Sequence, residues 1–300
     1  MSLTRGRLRA WREAGARTVA RPFFALLVLL ARALPRPVLR HLSAACSSAV
    51  YWLFPGVRAG ILSNALHILG PGSSRRERSR FARKVLRSFA AFLADLVSPP
   101  RKLPAGALLP ETSGKEHFHR AAERARGIIA VTLHMGNYEV AGMELASFKG
   151  NTAVVYNRER VRFLERLRSR RRREKLLDEI VIEESPFFAV AVLARLREGG
   201  IVLLAADQVD SREGDRFPFL HGEAIFSLWP ARLSLASGAP LLPAFNTLDA
   251  AGRYRLSLEE PLFPEEFAGP REMMARLVAV LAGQVAKHGD QWLMIRSFWT

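Results

Sequence analysis

Acidic side chains, cysteines and long apolar runs are all scarce in this chain. Asp and Glu total 28 against 45 Lys and Arg, a formal net charge of +17 and a pI near 11.2. So lopsided a balance calls for an acidic partner: nucleic acid, an anionic membrane surface, an acidic carrier protein or a phosphorylated substrate. Nearly all the cations are arginine, which suits forked hydrogen bonding to phosphate and equally reflects a GC-rich genome. The single cysteine, Cys46, excludes an internal disulfide framework and a cysteine-based zinc site, and places most of the mass in a reducing compartment. The seven histidines include no His-x-x-x-His pair, and His117-Phe118-His119 has no third ligand at a usual metal spacing. No metal is expected. The amino-terminal apolar run, Pro22 to Ala31, covers 10 residues, half of the roughly 20 that a straight spanning helix needs.

What is present is a hydrophobic fraction of 49% over 300 residues, enough for a sizeable core. The run from Pro22 follows a basic flank containing Arg5, Arg7, Arg9, Arg12, Arg17 and Arg21. A secretory leader needs a small-residue cleavage site, and Arg32-Ala33-Leu34-Pro35-Arg36 is a poor one. An uncleaved anchor fits better, with its basic flank on the cytoplasmic side. It either spans once with local thinning or lies in the interface together with Leu39 to Phe54; a buried core helix is the plainer alternative.

Residues 1–60 are thus expected to be a basic segment with membrane-associating helices. Residues 61–104 read as a helical pair joined by Gly70-Pro71-Gly72-Ser73-Ser74, closed by a hinge over Ser98 to Pro104. The second helix shows apolar Phe81, Val85, Phe89 and Phe92, and a basic face from Arg75 to Arg87 suited to anionic headgroups, an acidic carrier or solvent. From 105 to 300 short apolar strands alternate with helices. Strands are predicted at Gly127–Leu133, Thr152–Tyr156, Ile180–Ile182, Ile201–Ala206, Leu241–Asn246 and Tyr254–Leu258. Helices are predicted over Asn137–Phe148, Arg160–Leu177, Ser185–Glu198 and Ser227–Ser237. The pattern predicts a layered α/β core with a mixed, largely parallel central sheet flanked by helices.

The segment His134-Met135-Gly136-Asn137-Tyr138-Glu139 carries the chemistry. His134 follows a predicted strand, Gly136 permits a tight turn and Glu139 falls in the first turn of the next helix. Across such a turn the carboxylate can reach the imidazole and hold one tautomer, leaving the other ring nitrogen to deprotonate an alcohol. Ligands of open α/β sheets gather at strand carboxyl ends, where His134 stands. The same spacing also suits a histidine held by its neighbours for structural reasons.

The wider sequence resembles the bacterial lipid A late-acyltransferases, relatives of the glycerolipid acyltransferases with their His-x-x-x-x-Asp/Glu motif. The likeness runs from about Asn64 to the carboxyl end. It rests on the block Thr132 to Glu139, the Tyr156 strand with its basic helix and Gly199-Gly200 leading to Asp207-Gln208. Further landmarks are Phe219 to Gly222, Ala231 to Pro243 and Asp290-Gln291-Trp292-Leu293. The resemblance implies a glycerolipid-acyltransferase-like fold and acyl transfer to a membrane glycolipid hydroxyl. The donor would be an acyl carrier protein or coenzyme A thioester, and the place the inner membrane with the catalytic core facing the cytoplasm. It makes His134 the base and Glu139 its orienting partner, with Asp207 either in the site or capping the next loop. An arginine of the basic helix would assist; Arg171 is the candidate, with Arg170 and Arg172 beside it, the run Arg170 to Arg173 giving no register. Asn137, Gln208 and Arg296 are candidate substrate-binding residues, and no cofactor is implied.

Two departures mark a divergent branch. Trp292 is not followed by the family's histidine, and Arg160-Val161 replaces an Asn-Pro. The acceptor is therefore open among lipid A precursors, phosphoinositide mannosides and ornithine-type lipids. A nucleic-acid reading fits the charge alone, since no zinc-finger spacing, RNP-type aromatic box or helix-turn-helix signature occurs. A catalytically silent membrane scaffold and a thioesterase are the remaining alternatives.

Overall fold

The computed structural model describes residues 28–31, 33–98, 111–159, 161–175, 177–182, 187–208 and 214–299. Helices α1 (Arg36–Leu53), α2 (Pro55–Leu69) and α3 (Arg75–Val97) precede the sheet. The start of α3 is written in the sequence as a reciprocal cap. The Glu77 amide donates to Ser74 Oγ at 3.2 Å while the Ser74 amide donates to Glu77 Oε2 at 2.7 Å, satisfying two donors that the helix leaves unpaired.

Next come β1 (Glu111–Ser113), α4 (Lys115–Ala122), β2 (Ile128–Thr132), α5 (Tyr138–Phe148) and β3 (Thr152–Tyr156). They are followed by α6 (Arg162–Glu174), β4 (Leu177–Val181), α7 (Phe188–Arg197) and β5 (Ile201–Ala205). A two-stranded hairpin, β6 (Gly214–Pro218) and β7 (Glu223–Ser227), precedes α8 (Trp229–Ser237). The chain closes with β8 (Leu241–Leu248), β9 (Tyr254–Leu258) and α9 (Pro270–His288).

The main sheet runs β1-β9-β8-β2-β5-β3-β4, with every neighbouring pair parallel except β8 and β9. This is the mixed, largely parallel sheet expected from the alternation of elements. β2 and β5 lie inside it and are apolar on both faces, as a sheet covered on both sides requires. Alternate side chains serve different layers. Ile129, Val131, Val202 and Leu204 pack with α7, α8 and α9, whereas Ile128, Ala130, Ile201 and Leu203 pack with α4 and α5. Truncating a fully buried member such as Ile129 or Leu241 to Ala costs about 2–5 kcal/mol.

Some elements depart from expectation. β4 begins three residues before the predicted strand because it pairs with β3 from Thr152 and Leu177 through Tyr156 and Val181. Its Asp178 and Glu179 disguise an edge strand, where charge guards against stray pairing. β1, α4, the β6–β7 hairpin and α9 escape the sequence reading. Among the described residues no helix is long and apolar enough to cross a membrane. The spanning alternative finds no support there; Pro22 to Leu27 of the apolar run lie outside the described residues, as do Pro99 to Pro104 of the expected hinge and Ser185-Pro186.

Candidate active site

β2 and β5 are parallel neighbours whose last residues, Thr132 and Ala205, stand abreast in register. Two residues beyond each end come His134 and Asp207. Equal offsets from a shared register bring them together: His134 Nδ1 lies 2.7 Å from Asp207 Oδ1, and the His134 backbone N–H donates to Asp207 Oδ2 at 2.9 Å. The Trp292 indole N–H donates to the same Oδ2 at 2.7 Å. Burial alone pushes the Asp207 carboxyl up, but the facing His134 ring and the hydrogen bonds from His134 and Trp292 outweigh it and hold the group below the ordinary carboxylate value. An ionised Asp207 only accepts, so Nδ1 carries the imidazole proton and Nε2 is left as the basic nitrogen. Gln208 Nε2 lies 3.4 Å from that Nε2. The His134 side chain keeps 21% of its surface exposed while that of Asp207 keeps none.

The expected orienting partner is corrected here. Glu139 sits in the first turn of α5 and bonds not to His134 but to two arginines of α6. Arg168 Nε donates to Glu139 Oε1 at 2.7 Å, and Arg172 reaches both oxygens at 2.6 and 2.9 Å. Burial pushes Glu139 up, yet Arg168 and Arg172 bring it down to about 2. Arg172 also donates to Glu179 at 3.0 Å and lies over the Tyr156 ring at 4.4 Å. Tyr138, edge-on to the His134 ring at 4.7 Å and beneath Arg168 at 5.5 Å, separates the two clusters.

The arginine expectation is corrected too. Arg171 turns away, donating to the carbonyls of Asp95 (3.1 Å) and Ser98 at the end of α3, and Arg170 is exposed and paired with Glu174 at 2.9 Å. Arg168 and Arg172 are one helical turn apart, so they share the face that meets Glu139. That i, i+4 spacing was the available signal for Arg168. Asn137 is an architectural cap: its Oδ1 accepts from the Val140 N–H at 3.3 Å, and its amide groups donate to Asn246 Oδ1 at 3.1 Å and the Tyr254 hydroxyl at 3.3 Å. Gly136 has φ +55°, and a Cβ there would run into the Asn246 carbonyl, so glycine is needed for the turn that aims His134.

The carboxyl-terminal segment completes the wall. Leu293 N–H donates to the His134 carbonyl at 2.8 Å and Gly136 N–H to the Gln291 carbonyl at 2.9 Å, which carries Trp292 under Asp207. Trp292 is itself wedged among Phe219, Phe298 and Trp299. The sequence marks Trp292 only through the family likeness of the carboxyl-terminal segment; that it donates to Asp207 is a tertiary fact, reached across 85 residues.

A cavity of about 340 Å³ opens beside this dyad. Its polar end holds His134, Gln208, Glu139, Arg168, Arg172 and the exposed Arg296; its apolar end passes between α5 and the sheet along Ala130, Ala141, Gly142, Leu145, Val154 and Leu203. A cleft with one apolar arm and convergent polar groups suits a ligand that is half hydrocarbon. Among the described residues no group of three or more His, Cys, Asp or Glu is placed to hold a metal ion.

The family model described as bacterial lipid A biosynthesis acyltransferase matches residues 16–300. Two similar proteins are named phosphatidylinositol mannoside acyltransferase, from two strains of Mycobacterium tuberculosis. One, from strain CDC 1551 / Oshkosh, is 27% identical over 192 residues; the other, from strain ATCC 25618 / H37Rv, is 26% identical over 193 residues. Each match takes in 62% of this chain and 58% of the relative, so the likeness spans under two thirds of those proteins. Among solved structures, the 1-acyl-sn-glycerophosphate acyltransferase PlsC from Thermotoga maritima aligns with 83% of this chain and 94% of its own, at 15% identity and a TM-score of 0.38. That likeness is too loose to bear on the site.

Proposed function

Because the chain belongs to the bacterial lipid A biosynthesis acyltransferase family, we propose that it transfers a fatty acyl group from a carrier-protein or coenzyme A thioester to a hydroxyl of a membrane glycolipid, using His134 as general base. The observation that carries this reading is the His134–Asp207 dyad at the mouth of a half-apolar cavity. With Nδ1 held by Asp207, Nε2 takes the acceptor's hydroxyl proton as the oxygen attacks the thioester carbonyl. The tetrahedral oxyanion collapses, the carbon–sulfur bond breaks, and the imidazolium returns its proton to the departing thiolate. No covalent acyl-enzyme is required. Gln208, within 3.4 Å of Nε2, is the side-chain donor placed to reach the oxyanion.

The acyl chain occupies the slot between α5 and the sheet, and Arg296 at the rim meets anionic groups of donor or acceptor. Glu139, Arg168 and Arg172 act as the rigid floor that positions Tyr138 against His134. The acceptor lies at the cytoplasmic face of the inner membrane. The two named relatives make a mannosylated phosphoinositide the first acceptor to test, with a lipid A precursor beside it.

The test is turnover of radiolabelled acyl-carrier protein and acyl-coenzyme A with each acceptor in detergent micelles, read by mass spectrometry of the lipid product. An acyl mass shift on the lipid, abolished by His134→Ala, is expected. Normal turnover by His134→Ala, or free fatty acid as the sole product with every acceptor, would overturn the reading.

A further inference from the structure

Helix α1 is packed inside out. Its buried side carries Leu39, Ser43, Ser47 and Tyr51, while Val38, Leu42, Ala45, Ala49, Trp52 and Leu53 look outward along one stripe. The helix contains no acid, and Arg40 turns inward to Asp95 at 2.5 Å. Small serines on the inner side let α1 approach α3 closely; the larger apolar groups are left for another medium. The stripe ends in the turn Trp52-Leu53-Phe54-Pro55-Gly56, exposed at all five residues, with Trp52 and Leu53 exposing 67% and 72% of their surface. An apolar stripe capped by an aromatic knuckle is far from the scattered single exposures normal on a soluble surface.

Charge identifies the occupant. Arg76, Arg80, Arg83 and Arg87 form a second exposed stripe at helical spacing on α3. The Arg83 guanidinium lies 5.6 Å from the Tyr51 ring, and Arg58 caps Tyr51 and Trp52 at 5.6 and 6.0 Å, so the two stripes adjoin. Apolar side chains, a tryptophan at their border and flanking arginines are the composition of a helix lying in the plane of an anionic bilayer. The surface also adjoins the cavity: Tyr51 shares a cluster with Ile295, which lines it.

We propose that the outward stripe of α1, the Trp52–Gly56 turn and the arginine stripe of α3 form an in-plane docking surface for an anionic lipid bilayer. The proposal deepens the glycolipid-acceptor reading and rests on it for its purpose, because docking there sets the cavity mouth at the headgroup layer.

The lone cysteine, Cys46, is exposed on the same side of α1 and serves as a reporter. In the full chain labelled there with an environment-sensitive dye, phosphatidylcholine vesicles containing phosphatidylglycerol are expected to shift emission to the blue, and pure phosphatidylcholine less so. Leu42→Ser/Trp52→Ser/Leu53→Ser is expected to lower vesicle co-sedimentation about tenfold or more, given the apolar area withdrawn. Arg76→Gln/Arg80→Gln/Arg83→Gln/Arg87→Gln is expected to remove only the phosphatidylglycerol-dependent part. Both variants keep the circular dichroism and the micellar turnover of the parent, since none of these residues touches the cavity. Unchanged co-sedimentation of the triple variant overturns the proposal. So does a dye already blue-shifted without vesicles, whether in a dimer, where a second copy covers the stripe, or in a monomer, where residues 1–27 do. A parent that docks but transfers no acyl group would leave the surface standing and sink the activity reading instead.

Discussion

Asp207 hangs just past the end of a strand, whereas Glu139 sits in the first turn of a helix, and that difference in anchorage decides which partner each buried carboxylate finds. Parallel register carries Asp207 to the imidazole of the neighbouring strand. The helix instead turns Glu139 toward the face of α6, where two arginines neutralise it. Both carboxyls are held below their ordinary range, for unlike reasons: Asp207 by a histidine ring and two further donors, Glu139 by two full charges. A depressed acid beside a cleft is therefore not evidence of a catalytic partner until its hydrogen bonds are traced.

The comparison predicts opposite lesions. Asp207→Asn is expected to cut turnover about 10³–10⁴-fold by favouring the wrong imidazole tautomer, with little change in unfolding. Glu139→Gln leaves two buried guanidiniums short of a counter-charge and is expected to cost about 3–5 kcal/mol of stability, with a much smaller loss of turnover per folded molecule. Steady-state kinetics and urea unfolding on both variants check this. A Glu139→Gln protein with unchanged unfolding and abolished turnover would break the comparison.

Acid sharpens the same contrast. Glu139 is lowered from 4.5 to about 2, so its contribution is fully present above pH 4.5 and is lost as the pH falls toward 2. The stability gap between the parent and Glu139→Gln is expected to be constant from pH 5 to 7, by the same linkage, and to narrow steadily below about 4.5. A gap that instead opens on acidification would mean the arginines are not its partners.

The strands β2, β3 and β5, and the capped start of α3, were legible because local signals specify them: apolar runs between turn residues, and a serine three before a glutamate. His134 was legible for the same reason, as a polar residue at a strand's end. Its partner was not, since Asp207 arrives through a register between strands 73 residues apart, which no local pattern states. The choice among Arg170 to Arg173 failed on rotation: of those four only Arg172 reaches Glu139, and the arginine that joins it there, Arg168, stands one turn earlier, before the run. α9 is a different miss, for its buried Met273, Met274, Leu277, Val278, Leu281 and Val285 recur every three or four residues and were readable.

Trp292 extends the comparison to the second oxygen of Asp207. Trp292→Phe keeps most of the aromatic packing and removes one donor, a loss of about 1.5–3 kcal/mol for a hydrogen bond to a charged group. Where that loss falls on the imidazolium-forming step, turnover drops about tenfold or more while KM holds. A raised KM at constant kcat would assign Trp292 to binding rather than to the placement of Asp207.

The mildest change probes the apolar arm of the cavity, away from both carboxylates. A Cβ at Gly142 would stand 3.0 Å from Leu203 Cδ1 and 3.6 Å from Leu177 Cδ2, inside the slot between α5 and the sheet. Gly142→Ala replaces a helical glycine and thereby gains up to about 1 kcal/mol of helix propensity, against a modest adjustment of the Leu203 side chain. Stability is thus expected to hold while the slot shortens. Each methylene of acyl chain that no longer fits loses about 0.8 kcal/mol of burial, or about fourfold in kcat/KM, so preference is expected to move toward shorter chains by one or two carbons. A panel of acyl thioesters competing in one assay reads this directly, and an unchanged preference would remove the acyl chain from this slot while leaving the His134–Asp207 chemistry untouched.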